Sequence, residues 1–180
     1  MSSPSSPDKA LLVIGILMQD RALFKETLSE LEKLCGEFLF ISRWYNFDQT
    51  KYYEEEMGNS LSRRFIAFKD LIHQDELKDL KLASYKIEEL FSINEKRQVN
   101  VDPGYLTLDK LVLSTGKNFS HRIYLGDGIF ADLTFVYKGN RFVFFDWTYP
   151  DYMDDTIVSF FLKLRHYLKN GINKINGESE

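Results

Sequence analysis

The spacing of apolar positions changes from one part of this chain to the next. Ala10 to Leu17 reads Ala-Leu-Leu-Val-Ile-Gly-Ile-Leu. A continuous apolar run of strand length predicts a central strand covered on both faces. Asp20 then offers an N-cap, Phe24, Leu28, Leu31 and Cys35 recur at helical spacing, and Gly36 offers a C-cap, so a helix is predicted between them. Phe38 to Ile41 and Arg64 to Phe68 read as two further strands. Between these strands lies a polar, aromatic segment, Trp44 to Ser62, whose pattern predicts no element and which would suit a functional loop. Asp75 opens a second helix, with Leu77, Leu80, Ala83, Ile87, Leu90 and Phe91 on one face and Lys and Glu on a face expected to be solvated.

From Val99 onward the period becomes two. Thr107 to Ser114, Ser120 to Leu125, Ile129 to Tyr137 and Arg141 to Trp147 all suit strands, with turns at Gly126-Asp127-Gly128 and Lys138-Gly139-Asn140. Asp154 and Asp155 start a last helix, carrying Ile157, Phe160, Phe161, Leu164 and Leu168 and expected to stop near Gly171. This order predicts an α/β (α+β) fold with one mixed, largely antiparallel sheet and about three packed helices. Residues 1–9 read as a disordered tail, 10–170 as a single domain and 171–180 as a frayed end.

Composition narrows the function classes. The 180 residues are 44% hydrophobic and 15% aromatic, enough for a substantial core. A formal charge of −4 and no run of Lys or Arg argue against nucleic acid as a partner. Cys35 is the only cysteine and reads as a buried, unreactive thiol. No positive and apolar leader opens the chain, and no apolar run approaches the roughly 20 residues of a membrane span, so a cytoplasmic protein without membrane contact is expected.

The chemistry concentrates between Asn100 and Asp132. If the Gly126 to Gly128 turn is a two-residue loop, His121 and Asp132 share one face; a three-residue loop instead sets Arg122 opposite Asp132 and sends His121 to the other face. The first arrangement suits a general base or a metal ligand, the second an anion site or a stiffened sheet. The candidate catalytic residues are therefore His121, Asp132 and Asp102, with Arg122, Tyr124 and Tyr105 as candidate ligand-binding residues. Asp102 precedes Pro103-Gly104, a pairing typical of a type I or II turn, and Asp127 stands where a hairpin needs Asp or Gly for its backbone. His73 and His166 have no acid constellation beside them. Glu55 and Glu56, in the run Glu54-Glu55-Glu56, are the candidate metal ligands; a divalent ion such as Mg²⁺ or Ca²⁺ is the cofactor they would take, against a solvated-surface reading. Trp147 to Tyr152 reads as an aromatic link that would line a pocket or punctuate the last helix, and Phe142 to Phe145 as core or as a dimer face.

Several standard motifs are missing. There is no Gly-x-x-x-x-Gly-Lys-[Ser/Thr] loop, no Gly-x-Gly-x-x-Gly after the first strand, no His-Glu-x-x-His and no Gly-x-Ser-x-Gly, so the usual nucleotide, zincin and serine-hydrolase readings fall. In Asn100-Val101-Asp102-Pro103-Gly104-Tyr105-Leu106, Phe119 to Gly128, Trp147 to Tyr152 and Tyr52 to Gly58, the chain resembles the domain of unknown function 4416 family from Leu11 to about Leu168. That resemblance implies a bacterial or archaeal origin and a compact domain, and it implies no reaction. Some members carry a GTP-binding label, but this sequence has neither a phosphate loop nor an Asn-Lys-x-Asp. Two expectations follow: a small protein binding an anionic ligand, phosphate or carboxylate, with a hydrolase-like His/Arg/Asp site; or a non-catalytic, self-associating module whose polar cluster is structural.

Overall fold

The structure, a computed structural model, describes residues 3–47, 57–58 and 60–175. Three long helices, α1 (Phe24–Cys35), α2 (Leu77–Leu90) and α3 (Asp155–Ile175), pack on a sheet centred on β1 (Ala10–Met18), which is buried at every position. Asp20 accepts a hydrogen bond from the Ala22 amide at 2.9 Å and opens a short 3₁₀ turn before α1, and Gly36, at φ 81°, ends that helix. Cys35 lies at its last position, and burial pushes its thiol pKa up to about 12.

The other strands are β2 (Phe38–Ile41), β3 (Tyr45–Phe47), β4 (Leu61–Ile72), β5 (Ser92–Ile93), β6 (Lys96–Arg97), β7 (Val99–Leu106), β8 (Lys110–Thr115), β9 (Arg122–Gly126), β10 (Ile129–Lys138) and β11 (Arg141–Phe144). Their order in the main sheet is β11-β10-β8-β7-β1-β4-β2, with β3 added on β4 and β9 on β10, while β5 and β6 form a separate ribbon. Every pairing among the described residues is antiparallel.

The double burial of β1 follows from its sequence. Leu12, Ile14 and Ile16 join one core with Leu31 of α1 and Leu77 and Ile87 of α2, while Leu11 and Val13 join a second core with Phe65, Phe135 and Phe161, Leu164 and Leu168 of α3. Burying such side chains stabilises by roughly 1.5–3 kcal/mol each, so two cores sharing one strand make β1 the axis of the fold. Phe142 is 8% exposed and packs on Phe135 with ring centroids 4.5 Å apart, which makes it core rather than a dimer face.

Three expectations need correction. Asp102-Pro103-Gly104 is not a turn; these residues lie within β7, with Asp102 opposite Gly15 and Pro103 opposite Ile14 of β1. Proline is accommodated because β7 pairs with β8 only from Gly104 onward, so no ladder on that side needs an amide hydrogen from Pro103. The helix α3 does not stop at Gly171 but runs on to Ile175; an added Cβ at Gly171 would meet nothing within 4 Å, so this glycine sits in open space and weakens the helix without ending it. The polar face of α2 is not wholly solvated, since Lys81, Ser84 and Glu88 are buried.

Candidate functional site

The gap beside Pro103 is where the site forms. From Val99 to Pro103, β7 is paired with β1 on one side and has no β8 partner on the other. Ser114, near the end of β8, bridges the splay by donating from Oγ to the Pro103 carbonyl at 2.7 Å. Gly104 is needed where the strands converge: a Cβ there would lie 2.7 Å from the Val112 carbonyl oxygen and 2.6 Å from Leu113 Cδ2.

Lys81 of α2 fills the splay. Its Nζ donates to the Val101 carbonyl at 2.7 Å and to Asp102 Oδ1 at 3.1 Å, with Glu88 Oε1 3.9 Å away. Glu88 in turn accepts from the Val101 amide at 2.7 Å and from Arg97 Nη1 at 3.0 Å, and Asn100 donates to Asp102 Oδ2 at 2.7 Å. Burying charges in this way costs less when each has hydrogen-bonded partners. Burial pushes the Glu88 carboxyl above its ordinary range, and Lys81, the Val101 amide and Arg97 offset only part of that. For Asp102 burial pushes the same way, but Lys81, Arg63 and hydrogen bonds from Lys81 and Asn100 outweigh it and hold the carboxyl below the usual range.

The hairpin of β9 and β10 supplies the opposite wall. Its turn is a two-residue loop, with Asp127 at φ 51° and Gly128 at φ 78°. Gly126 pairs with Ile129, but Tyr124 pairs with Phe130, so Leu125 is bulged out and Arg122 comes to lie opposite Asp132. The loop length expected to pair His121 with Asp132 thus pairs Arg122 with it. His121 nonetheless reaches the same carboxylate, because it precedes the strand and is not bound by the strand's alternation of faces. His121 Nε2 is 3.2 Å and Arg122 Nε 2.9 Å from Asp132 Oδ2. An ionised carboxylate only accepts, so in this arrangement both nitrogens donate. The His121 ring stacks on Trp147 at 4.7 Å and 9°, and Trp147 stacks on Phe145 at 4.7 Å and 11°. Trp147 is fixed further by its Nε1, which donates to the Leu133 carbonyl at 2.9 Å.

Between these walls lie two adjoining cavities that share Asp102, Thr115 and Lys117. One, of about 60 Å³, is bounded by Arg122, Asp132, Trp147 and Tyr149; the other, of about 170 Å³, by Lys81, Tyr85, Arg97 and Asn100. Arg122 is held on two sides, since Nη1 also donates to the Lys117 carbonyl at 3.0 Å, while its Nη2 has no protein partner among the described residues. A guanidinium fixed in orientation with one edge uncommitted is a preorganised donor for an oxyanion. A larger cavity, about 270 Å³, lies near Pro7 to Lys9 and Thr107 to Lys110, and its walls contain no buried charged group.

The structure therefore gathers Asp102, Arg122 and Asp132 at one cleft and sets His121 behind Asp132. It does not bring the two tyrosines there. Tyr105 packs in the core beneath α2, and Tyr124 is 61% exposed, its ring 5.2 Å from that of Phe130. Glu55, Glu56 and the Tyr52 to Glu56 loop lie outside the described residues; among those described, no group of three or more His, Cys, Asp or Glu side chains is placed to hold a metal ion. His73 caps the 3₁₀ turn before α2, and His166 pairs with Asn170 on α3. The sequence reading missed Lys81 and Glu88: with Ser84 they recur at spacings of three and four beside the apolar stripe, a pattern that by itself does not tell a buried polar edge from a solvated one.

The model of the family described as a domain of unknown function (DUF4416) matches residues 8–167. The chain belongs to this family. No curated protein and no solved structure matches the DUF4416 chain. Family membership thus brings no reaction with it. Among its described residues, no helix is long and apolar enough to cross a membrane.

Proposed function

We propose that this DUF4416 protein binds a small anionic ligand, carrying a phosphate or a carboxylate, in the cleft between β7, β8 and the β9–β10 hairpin. The reading rests on Arg122, pinned by Asp132 and the Lys117 carbonyl with Nη2 left over, in a cavity walled by Lys117, Trp147 and Tyr149. A hydrolase-like reaction there would place its anionic group on Arg122 and draw an acid or base from the His121–Asp132 pair. The test is a thermal-shift and calorimetric screen of phosphates and carboxylates, since a ligand that binds the native state raises Tm by mass action. Arg122→Ala is expected to weaken the best anion roughly tenfold to a hundredfold, with Arg122→Lys in between because an ammonium lacks the planar fork. Equal affinity in wild type and Arg122→Ala would remove the proposal.

Self-association is the second reading, favoured by one observation. β9 is an edge strand, and Phe119, Ile123 and Tyr124 on it and beside it are 63%, 69% and 61% exposed. In that reading the His121–Arg122–Asp132 cluster only stiffens the edge. Light scattering is expected to show a dimer at high concentration that Ile123→Lys abolishes, and a monomer at every concentration would exclude this reading.

A further inference from the structure

We infer that the ligand of this cleft is an anion carrying hydroxyl groups on adjacent carbons, in the manner of a sugar or polyol phosphate, with Arg122 taking the anionic group and Asp102 the hydroxyls. The inference rests on the anion-site reading above and adds the chemistry of the rest of the ligand.

Asp102 carries the argument. It lines both cavities, and its side chain is 27% exposed. A carboxylate offers about four acceptor positions, and Lys81 fills one on Oδ1 while Asn100 fills one on Oδ2. One position is left on each oxygen, an arrangement that two neighbouring hydroxyl groups can satisfy together. A ligand bearing only negative charge would instead meet Asp102 and Asp132 as like charges once it extended past Arg122. An ammonium-bearing ligand is disfavoured for the opposite reason, because Lys81, Arg97 and Lys117 all border the cavity of about 170 Å³. Hydroxyl groups fit both constraints, since each can donate to Asp102 and accept from a cation. Tyr85 adds a further hydroxyl at that rim, with Lys81 Nζ 4.9 Å from its ring centroid. The volume of about 170 Å³ beyond Asp102 suits the hydroxylated chain of a small sugar.

The test compares inorganic phosphate with ribose 5-phosphate, and acetate with gluconate, by calorimetry on wild type, Asp102→Asn and Tyr85→Phe. In the wild type the hydroxylated member of at least one pair is expected to bind about tenfold or more tighter than its parent anion. Asp102→Asn is expected to reduce that ratio to about threefold or less while the parent anion binds within about twofold of wild type or tighter, because a like charge has been removed. Tyr85→Phe changes an exposed side chain and is expected to reduce the ratio by about threefold, which decides the matter should Asp102→Asn not fold. Which pair responds tells phosphate from carboxylate. Parent anions binding as tightly as their hydroxylated counterparts, or a high ratio untouched by both variants, would overturn the inference and leave the anion site standing. Absence of binding by all four compounds would overturn the anion site and this inference with it.

Discussion

Glu88→Ala is expected to destabilise the protein by about 3–5 kcal/mol, the range seen when one member of a buried charge network is removed. Glu88 is 2% exposed and is the partner of three groups: the Val101 amide, Arg97 and, at longer range, Lys81. Alanine would leave all three facing a small void, and with them the strand segment that presents Asp102. For a chain of this size the loss corresponds to a drop in Tm of roughly 6–20 °C. Glu88→Gln keeps an acceptor for the Val101 amide and is expected to lose only about 1–2 kcal/mol. Wild type and Glu88→Gln differ in their pH dependence as well, because glutamine does not titrate. Because burial holds the folded-state pKa of Glu88 above its reference value of 4.5, protonation favours the native state; that contribution is complete below about pH 4.5 and is lost as pH rises through the folded pKa. The stability gap between wild type and Glu88→Gln should therefore widen in acid. Urea unfolding at pH 4 and pH 7 measures both effects, and a loss below about 1 kcal/mol for Glu88→Ala would show that the network is solvated.

Arg63→Ala is expected to be comparably severe, at about 3–5 kcal/mol. Arg63 of β4 pairs with Asp151 in the turn before α3, and both side chains are 7% exposed. Its guanidinium carbon also lies 4.3 Å from the ring centroid of Phe47 and 5.6 Å from that of Tyr152. Among the described residues, Asp151 Oδ1 is a buried carboxylate oxygen without a hydrogen-bond partner, so deleting the arginine leaves a buried charge with even less to compensate it. The apolar double replacement Arg63→Met with Asp151→Leu is expected to recover most of the loss, because it removes both desolvation costs together. Thermal unfolding of the single and double variants checks this. A double variant no more stable than Arg63→Ala would mean that the pair shapes the turn before α3 instead of merely neutralising itself.

Much of the architecture is local information that the chain carries openly. The run Ala10 to Leu17 requires cover on both faces wherever it is placed, Asp20 and Gly36 mark the ends of the first helical segment, and Gly126-Asp127-Gly128 contains the positive-φ positions that a tight hairpin needs. Period-two segments from Lys110 to Phe144 cannot bury one face except as strands, so the antiparallel sheet and its helices were legible. That Arg122, His121 and Asp132 belong to one hairpin was legible for the same reason. Their actual meeting was not, because it depends on one bulged residue, Leu125, and on His121 standing just outside the ladder.

What only the tertiary structure decided is long-range. Asp102-Pro103-Gly104 has local turn chemistry, and it is the pairing with β1, nearly the whole first half of the chain away, that draws it out into a strand. The absence of a β8 partner at Pro103 then opens the splay, and Lys81 and Glu88, which a helical repeat alone would assign to solvent, are pulled inside to satisfy the freed backbone of Val101 and the carboxylate of Asp102. Sequence periodicity reports how side chains are distributed around their own element. Which polar group is buried depends on backbone hydrogen bonds left unmade by another element, and that is settled only when the strands have paired.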